Sequence, residues 1–231
     1  MPLAQDRYRR DFLALLLAEQ PRSVLDVGCG DGALLRAIAE RGIAVAGVDS
    51  DARAVAALVA EGLDARVAGA EQLPFANGAF DWVTLAWTAH HLASPDVAIA
   101  QCWRVARRGL LVIDAWYDTS ITSQRVALAL DRWSKRIDRQ RGLVHHEVLS
   151  AADLVAPLMD EPQAEIEVSH WLSLSLLPAT HVRDRVAAQL ATVPPSEALR
   201  REAAALLEHV DRDGASDDGA IVLLARRVSG R

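Results

Sequence analysis

Val24-Leu25-Asp26-Val27-Gly28-Cys29-Gly30-Asp31-Gly32 reads as a short apolar strand running into a glycine-rich turn, and the helix-like run 33–40 follows at once. Glycine is needed where a chain turns sharply or where a ligand must touch bare backbone. A strand, a glycine turn and a helix in that order put backbone N–H groups and a helix N-terminus at the carboxyl edge of a sheet, where open α/β folds bind cofactors. The next apolar run, 43–48, ends in Asp49. A carboxylate there can accept hydrogen bonds from both hydroxyls of a ribose. The stretch therefore predicts a site for an adenosine-containing cofactor.

The spacing narrows the choice. Dinucleotide-binding turns follow G-x-G-x-x-G. Here the glycines are Gly28, Gly30 and Gly32, so the third falls one residue early and Ala33 stands in its place. With Asp26 just ahead, the pattern resembles the nucleotide turn of class I S-adenosylmethionine-dependent methyltransferases. The resemblance implies that Asp26 lies near the cofactor's amino group and that the turn Gly28-Cys29-Gly30 leaves room for its methionine part. Asp49, with Ser50 beside it, would hold the ribose.

Three downstream segments resemble the same family in order. Ala70-Glu71-Gln72-Leu73-Pro74-Phe75 matches the segment that wraps the adenine after the third strand. Phe80-Asp81-Trp82-Val83 opens a fourth strand that leads to Trp87-Thr88-Ala89-His90-His91-Leu92. Arg104-Val105 ends a helix before the strand 110–114. The resemblance covers residues 24–114 well and is nearest to the small-molecule, quinone-biosynthesis-like group (methyltransferase type 11). Two departures stand out. Many relatives carry an aspartate where this chain has Gly69; Ala70 still offers a backbone N–H to the adenine, and Glu71 can partly substitute. The residues before the fifth strand read Arg104-Val105-Ala106-Arg107-Arg108-Gly109, a shortened turn.

Strands at 23–27, 44–48, 65–68, 82–86 and 110–114 alternate with helices at 32–41, 52–61 and 96–106, the last with Ser94 as its cap before Pro95. That alternation predicts a parallel sheet with crossover helices. The family resemblance extends it to a Rossmann-like, seven-stranded, mostly parallel α/β sheet with an antiparallel last strand and helices on both faces. One domain over 1–231 is expected: an N-terminal helix within 1–20, a cofactor-binding core at 21–116, closing strands at 164–177 and 220–228, and helical additions at 117–160 and 178–216 as a substrate cover. Added helices over a rigid sheet edge are where specificity is usually carried.

At 231 residues and 51% hydrophobic the chain can bury one substantial core. A net charge of −6 argues against a broad phosphate-binding surface, so no nucleic-acid partner is expected. Arg132, Arg136, Arg139 and Arg141 lie beside Asp131 and Asp138 and read as a solvated helix face. No apolar run approaches the roughly 20 residues needed to span a bilayer, and no signal-peptide cleavage site follows the short apolar run 12–18. A cytoplasmic protein without a membrane partner, monomeric or homodimeric, is the expectation. Cys29 and Cys102 are too far apart in sequence for a disulfide framework and read as reduced and structural.

Methyl transfer from a sulfonium needs alignment and exclusion of water, and an oxygen or nitrogen acceptor also needs its proton removed. S-adenosyl-L-methionine is thus the implied cofactor, with S-adenosyl-L-homocysteine as product and a small organic molecule as methyl acceptor. His90 and His91 follow the fourth strand, where acceptor and methyl group should meet; with His146 they are the candidate bases. His145, His146 and Glu147 lack the i, i+4 spacing of a helical metal site, and no metal is assigned. His170 and His181 read as structural. Tyr8 is a cofactor candidate through the resemblance, which implies an N-terminal helix folded over the methionine end; simple packing of that helix on the sheet is the other reading. Trp82 reads as core, while Trp87, Trp116, Trp133 and Trp171 could face the pocket, Trp87 beside the cofactor. A non-catalytic cofactor-binding or partner subunit that kept the fold is the alternative. A nicotinamide-dependent oxidoreductase fits neither the glycine spacing nor a Tyr-x-x-x-Lys pair, since Lys135 is the only lysine.

Overall fold

The computed structural model describes residues 4–192 and 196–228. Residues 1–3 of the stretch expected to hold the N-terminal helix, and residues 193–195 of the expected cover, lie outside the described residues. Seven strands form one sheet in the order β3-β2-β1-β4-β5-β7-β6. They are β1 (Ser23–Val27), β2 (Ala44–Asp49), β3 (Ala65–Val67), β4 (Phe80–Ala86), β5 (Ala106–Trp116), β6 (Ala164–Trp171) and β7 (Gly219–Arg227). β1 to β5 pair in parallel, and β7 runs antiparallel between β5 and β6, so six strands share one direction and the last opposes them. This is the expected sheet.

Side chains alternate between faces along the strands, and each face is closed by helices. Leu25, Val27, Val83, Leu85, Leu110 and Val112 point to one face, where α4 (Pro95–Val105) and α6 (Ala151–Val155) pack through Ile99, Cys102, Trp103 and Leu154. Val24, Trp82, Leu111 and Ile113 point to the other, beneath α1 (Ala4–Ala18) and α2 (Ala33–Ala39). Tyr8, Phe12 and Leu16 of α1 recur at the helical period and are almost wholly buried there. Burial of each large side chain of this kind is worth about 1.5–3 kcal/mol. α3 (Ala52–Ala60), capped by the Asp51 carboxylate on the Arg53 N–H, covers β2 and β3.

Three elements differ from the sequence pattern. β5 begins at Ala106, directly after α4, so the shortened turn is no turn at all. Ser94 occupies the cap position of α4 with Pro95 behind it, yet its hydroxyl makes no capping bond; its backbone N–H instead faces Glu71 Oε1 at 3.4 Å. The extended run 165–177 pairs as a strand only to Trp171, and beyond that a single bridge joins Leu176 to Ser216.

The rest of the chain after β5 supplies α5 (Thr122–Gln140), α7 (Ala179–Thr192) and α8 (Glu197–Asp213). Val126, Trp133, Ile137, Val182, Val186, Leu199, Leu206 and Val210 form a core of their own, separate from the sheet faces. The Trp133 indole N–H donates to the Leu199 carbonyl at 3.0 Å, tying α5 to α8. α6, which the sequence pattern places in the cover, lies on the sheet face beside α4. Its apolar Leu154 is fully buried there, and that burial wins over its place in the sequence.

Candidate active site

The carboxyl ends of β1 and β2 are joined through the glycine turn. The N–H groups of Gly28 and Cys29 both donate to the Val48 carbonyl, at 2.8 and 3.0 Å. Gly28 has φ +71°, and a Cβ there would stand 2.3 Å from Thr88 Cγ2. Thr88 thus occupies the space above Gly28, with its hydroxyl 3.0 Å from the Ala86 carbonyl and 3.3 Å from that of Gly28. The expected room for a ligand lies one step on. At Gly30 a Cβ would meet nothing nearer than the Gly28 carbonyl at 4.0 Å.

Asp49 ends β2 beside this space. Its Oδ2 accepts the Gly30 N–H at 2.8 Å and its Oδ1 accepts the Asp51 N–H at 2.9 Å. A carboxylate offers about four lone-pair sites, so each oxygen keeps capacity for a hydroxyl donor. Ser50 beside it is exposed. Asp26 is buried under the turn, where Thr84 Oγ1 donates to it at 2.9 Å. Burial pushes its carboxyl up to about 7, with the Thr84 bond opposing and Asp49 adding repulsion. The Cys29 side chain points inward against Leu35, Val55 and Leu58, so only its backbone faces the turn's ligand side; burial first, then Asp26, pushes its thiol up to about 12. Cys102 is likewise buried and free, its thiol raised to about 12 by burial.

Ala70 is buried and Glu71 half-buried after β3. A Cβ on Gly69 would stand 3.5 Å from Glu71 Oε2, so the Glu71 carboxylate lies beside the place an aspartate at 69 would fill. Tyr8 is 1% exposed and sits against Trp171, its hydroxyl facing the carbonyls of Trp171 and Asp218 at 3.4 and 3.3 Å. It is a core residue, and the packing reading of its helix is the one the side chain follows. Its neighbour Arg9 reaches the site instead, its guanidinium 5.9 Å from the Trp87 ring.

Trp87 follows β4 with φ +49°, a conformation that bulky side chains rarely adopt. Such strain clusters at functional positions. Trp87 opens onto a cavity of about 720 Å³ at the carboxyl ends of β4 and β5. The floor is made by Trp87, His90, His91, Ala115 and Tyr117; α5 and α7 close it with Trp133, Lys135, Val182 and Gln189. The glycine turn, Asp49, Ala70 and Glu71 are not among the residues lining it. Of the four tryptophans expected near a pocket, Trp87 and Trp133 line it. Trp116 packs on His170 on one sheet face and Trp171 on Tyr8 on the other, and neither lines the cavity.

Three histidines gather at the cavity. His90 Nδ1 lies 2.5 Å from Asp114 Oδ1, and Asp114 also accepts the backbone N–H groups of His90 and Ala115. His145 Nδ1 lies 2.9 Å from Asp138 Oδ2, and His91 Nδ1 3.4 Å from the Val144 carbonyl. Ring centroids are 4.1 Å apart for His90–His91, 4.3 Å for His91–His145 and 5.1 Å for His90–His145. Burial and the neighbouring imidazoles hold His91 below its ordinary value. Burial does the same for His145, against the pull of Asp138. Both are therefore neutral near pH 7. His146 is turned away, with Nε2 2.8 Å from the Leu92 carbonyl, and is not a base in this cavity. Glu147 is held by Arg132 and Arg139 on the solvated face of α5.

The sequence pattern gives Asp114 only as the end of a strand, and leaves unseen that it orients His90. His181 lines the cavity, although its position in a helix reads as structural. Lys135 is 1% exposed and ion-paired with Asp131 at 2.8 Å, both at the cavity wall. A lone lysine amid exposed arginines carries no sign of that burial. Tyr117 also lines the cavity, and its hydroxyl stays protonated well above the usual range through burial and the charge of Asp131.

Residues 25–113 match the family model described as a methyltransferase domain. The chain is 31% identical over 164 residues to a ubiquinone biosynthesis O-methyltransferase of Mesorhizobium japonicum, covering 63% of this chain and 66% of that one. It is 38% identical over 116 residues to a demethylmenaquinone methyltransferase of Thermus thermophilus, covering 46% and 53%. The chain thus spans from just under half to just under two thirds of such curated relatives. Among solved structures, the YcgJ protein of Bacillus subtilis superposes with a TM-score of 0.64 at 18% identity over 96% of this chain and all of that one. The [4+2]-cyclase SpnF also gives 0.64, at 24% identity over 99% and 84%. The matched stretch takes in most of β1, all of β2 to β4 and most of β5, with the glycine turn, Trp87, His90 and His91; α5 and α7, on the other side of the cavity, lie outside it. No helix among the described residues is long and apolar enough to cross a membrane.

Proposed function

We propose that this protein transfers the methyl group of S-adenosylmethionine to a small organic acceptor, with a phenolic or enolic oxygen as the favoured acceptor atom. The observation that carries the reading is the position of a partly aromatic cavity at the ends of β4 and β5, next to the glycine turn at the end of β1. Relatives named as quinone-biosynthesis methyltransferases support the acceptor class. The fold alone does not fix the chemistry, as the cyclase among the structural neighbours illustrates.

The residues present fit the cofactor. Gly30 leaves open space where any side chain would intrude, Asp49 keeps lone pairs for the ribose hydroxyls, and Glu71 stands beside the position of the absent aspartate at Gly69 to take the adenine amine. Asp26 lies below the turn as the counter-charge for the amino group. The bound cofactor supplies a methyl carbon already activated by the sulfonium. The chain's own task is then to orient the acceptor and take its proton. Asp114 holds His90 by Nδ1, which fixes the ring and leaves Nε2 for the proton of the acceptor hydroxyl. Trp87 and Trp133 supply flat apolar walls, and α5 and α7 form the side of the cavity opposite the strand ends.

Calorimetric titration with S-adenosylmethionine and S-adenosylhomocysteine, with NAD as control, tests the reading. Both sulfur ligands are expected to bind in the micromolar range and NAD not at all. Asp49→Ala should weaken both by about 10- to 100-fold, the worth of charge-assisted hydrogen bonds. Binding of NAD, or no binding of either sulfur ligand, would overturn it.

A further inference from the structure

The three histidines at the cavity floor do more than offer a base. Each ring has its Nδ1 directed at a different acceptor: Asp114 for His90, Asp138 for His145 and the Val144 carbonyl for His91. Each is thereby left with Nε2 as its coordinating nitrogen. One ligating atom from each of the three can be chosen so that all lie within 4.8 Å of one another. Two imidazole nitrogens sharing a tetrahedral ion at about 2.1 Å stand about 3.4 Å apart, so the rings would draw together around a bound ion. We propose that His90, His91 and His145 form a site for one divalent first-row transition-metal ion, with its remaining coordination positions open to the cavity.

The supporting shell argues for an ion rather than a chance cluster. Metal-bound histidines almost always pass their other ring N–H to a carboxylate or a carbonyl, which fixes the ring and raises its basicity. All three do so here, two of them to carboxylates that are themselves largely buried, Asp114 at 1% and Asp138 at 16% side-chain exposure. The donor set is nitrogen only, which suits zinc, iron, cobalt or nickel and not the oxygen-seeking calcium or magnesium. Three protein ligands with an open side is the pattern of a catalytic site, where structural sites close with four. His91 and His145 reach the same point from segments 54 residues apart, so the floor and the loop after α5 would be clamped together.

The binding claim stands without methyl transfer, while its use rests on the function proposed above. There the ion would hold an oxygen of the acceptor at the cavity floor. His90 Nε2 would then be a ligand, and the hydroxyl proton would pass to solvent water.

The test is a titration of chelator-treated full-length protein with Co²⁺, followed by its visible d–d absorption, and with Zn²⁺ against a chromophoric chelator. One ion per chain is expected. His91→Ala and His145→Ala should each weaken Zn²⁺ by at least 10-fold, Asp138→Asn by about 10-fold through the orientation of His145, and His146→Ala not at all. Calorimetry with S-adenosylhomocysteine on the same samples separates the two proposals. Metal binding without S-adenosylhomocysteine binding would sink the cofactor reading alone. S-adenosylhomocysteine binding without a cobalt band, or zinc affinity unchanged in both histidine variants whose folding is verified by thermal melting, would overturn the metal site.

Discussion

Gly28 shows how a residue can be found for one reason and needed for another. The motif marks it, and the resemblance explains it by the ligand's bulk. In the structure its φ of +71° and the Thr88 side chain 2.3 Å from a would-be Cβ make it a requirement of the protein's own packing. Gly28→Ala should therefore cost stability with no cofactor present, by about 2–3 kcal/mol from backbone strain and overpacking together. Urea unfolding of the ligand-free variant measures this, and Gly28→Ala in a Thr88→Ala background should recover the packing part. A variant as stable as the parent would show that the turn relaxes freely. Glycine position and turn were legible because a motif is local. That Thr88 fills the space above was not, since 60 residues separate the partners and only the β1–β4 pairing joins them.

At the scale of elements, the five parallel strands were legible from alternating apolar runs, because a strand buried on both faces must be apolar along its length. The chain after β5 was legible only as helices. Where α6 would lie depended on long-range packing, and its Leu154 chose the sheet face. α5, α7 and α8 are different: their core is their own, built around Trp133, which is 1% exposed and bonded to Leu199. A unit that contributes a separate core can loosen without unfolding the sheet. Trp133→Ala removes a large buried ring, a loss of about 3–5 kcal/mol where it unfolds with the whole, and frees the N–H partner on α8. The expected outcome is a rise in amide exchange confined to α5, α7 and α8 and a higher KM for the acceptor, with S-adenosylhomocysteine affinity held within about threefold. Exchange rising equally in β1 and β4 would mean that this helical unit and the sheet fold as one.

For the whole molecule, the buried carboxyl of Asp26 sets a pH dependence that no sequence pattern announces. Burial raises it from its ordinary 3.8 to about 7 against the Thr84 hydrogen bond. Between those values the folded chain holds a proton that the unfolded chain has released, so this group's contribution falls as pH rises from about 4 to about 7 and is level above. His91 and His145 act with the opposite sign. Their values are depressed in the fold, so their contribution is lost as pH falls below the ordinary histidine range. The two trends overlap in the parent protein, and Asp26→Asn separates them. The variant's stability relative to the parent should be near its low point at pH 4–5 and should rise by a few kcal/mol, at about 1.4 kcal/mol per pH unit, to a plateau above pH 7. Urea unfolding at half-unit steps from pH 4.5 to 8.5 gives the difference curve directly. If S-adenosylhomocysteine brings an ammonium to Asp26, the ionised carboxylate is favoured in the complex, and the ligand should stabilise the parent more at pH 8 than at pH 5. A flat difference curve would mean that Asp26 stays ionised in its buried place. A sloping one that the ligand leaves unchanged would put the amino group elsewhere, and the cofactor's orientation in the turn would need to be reversed.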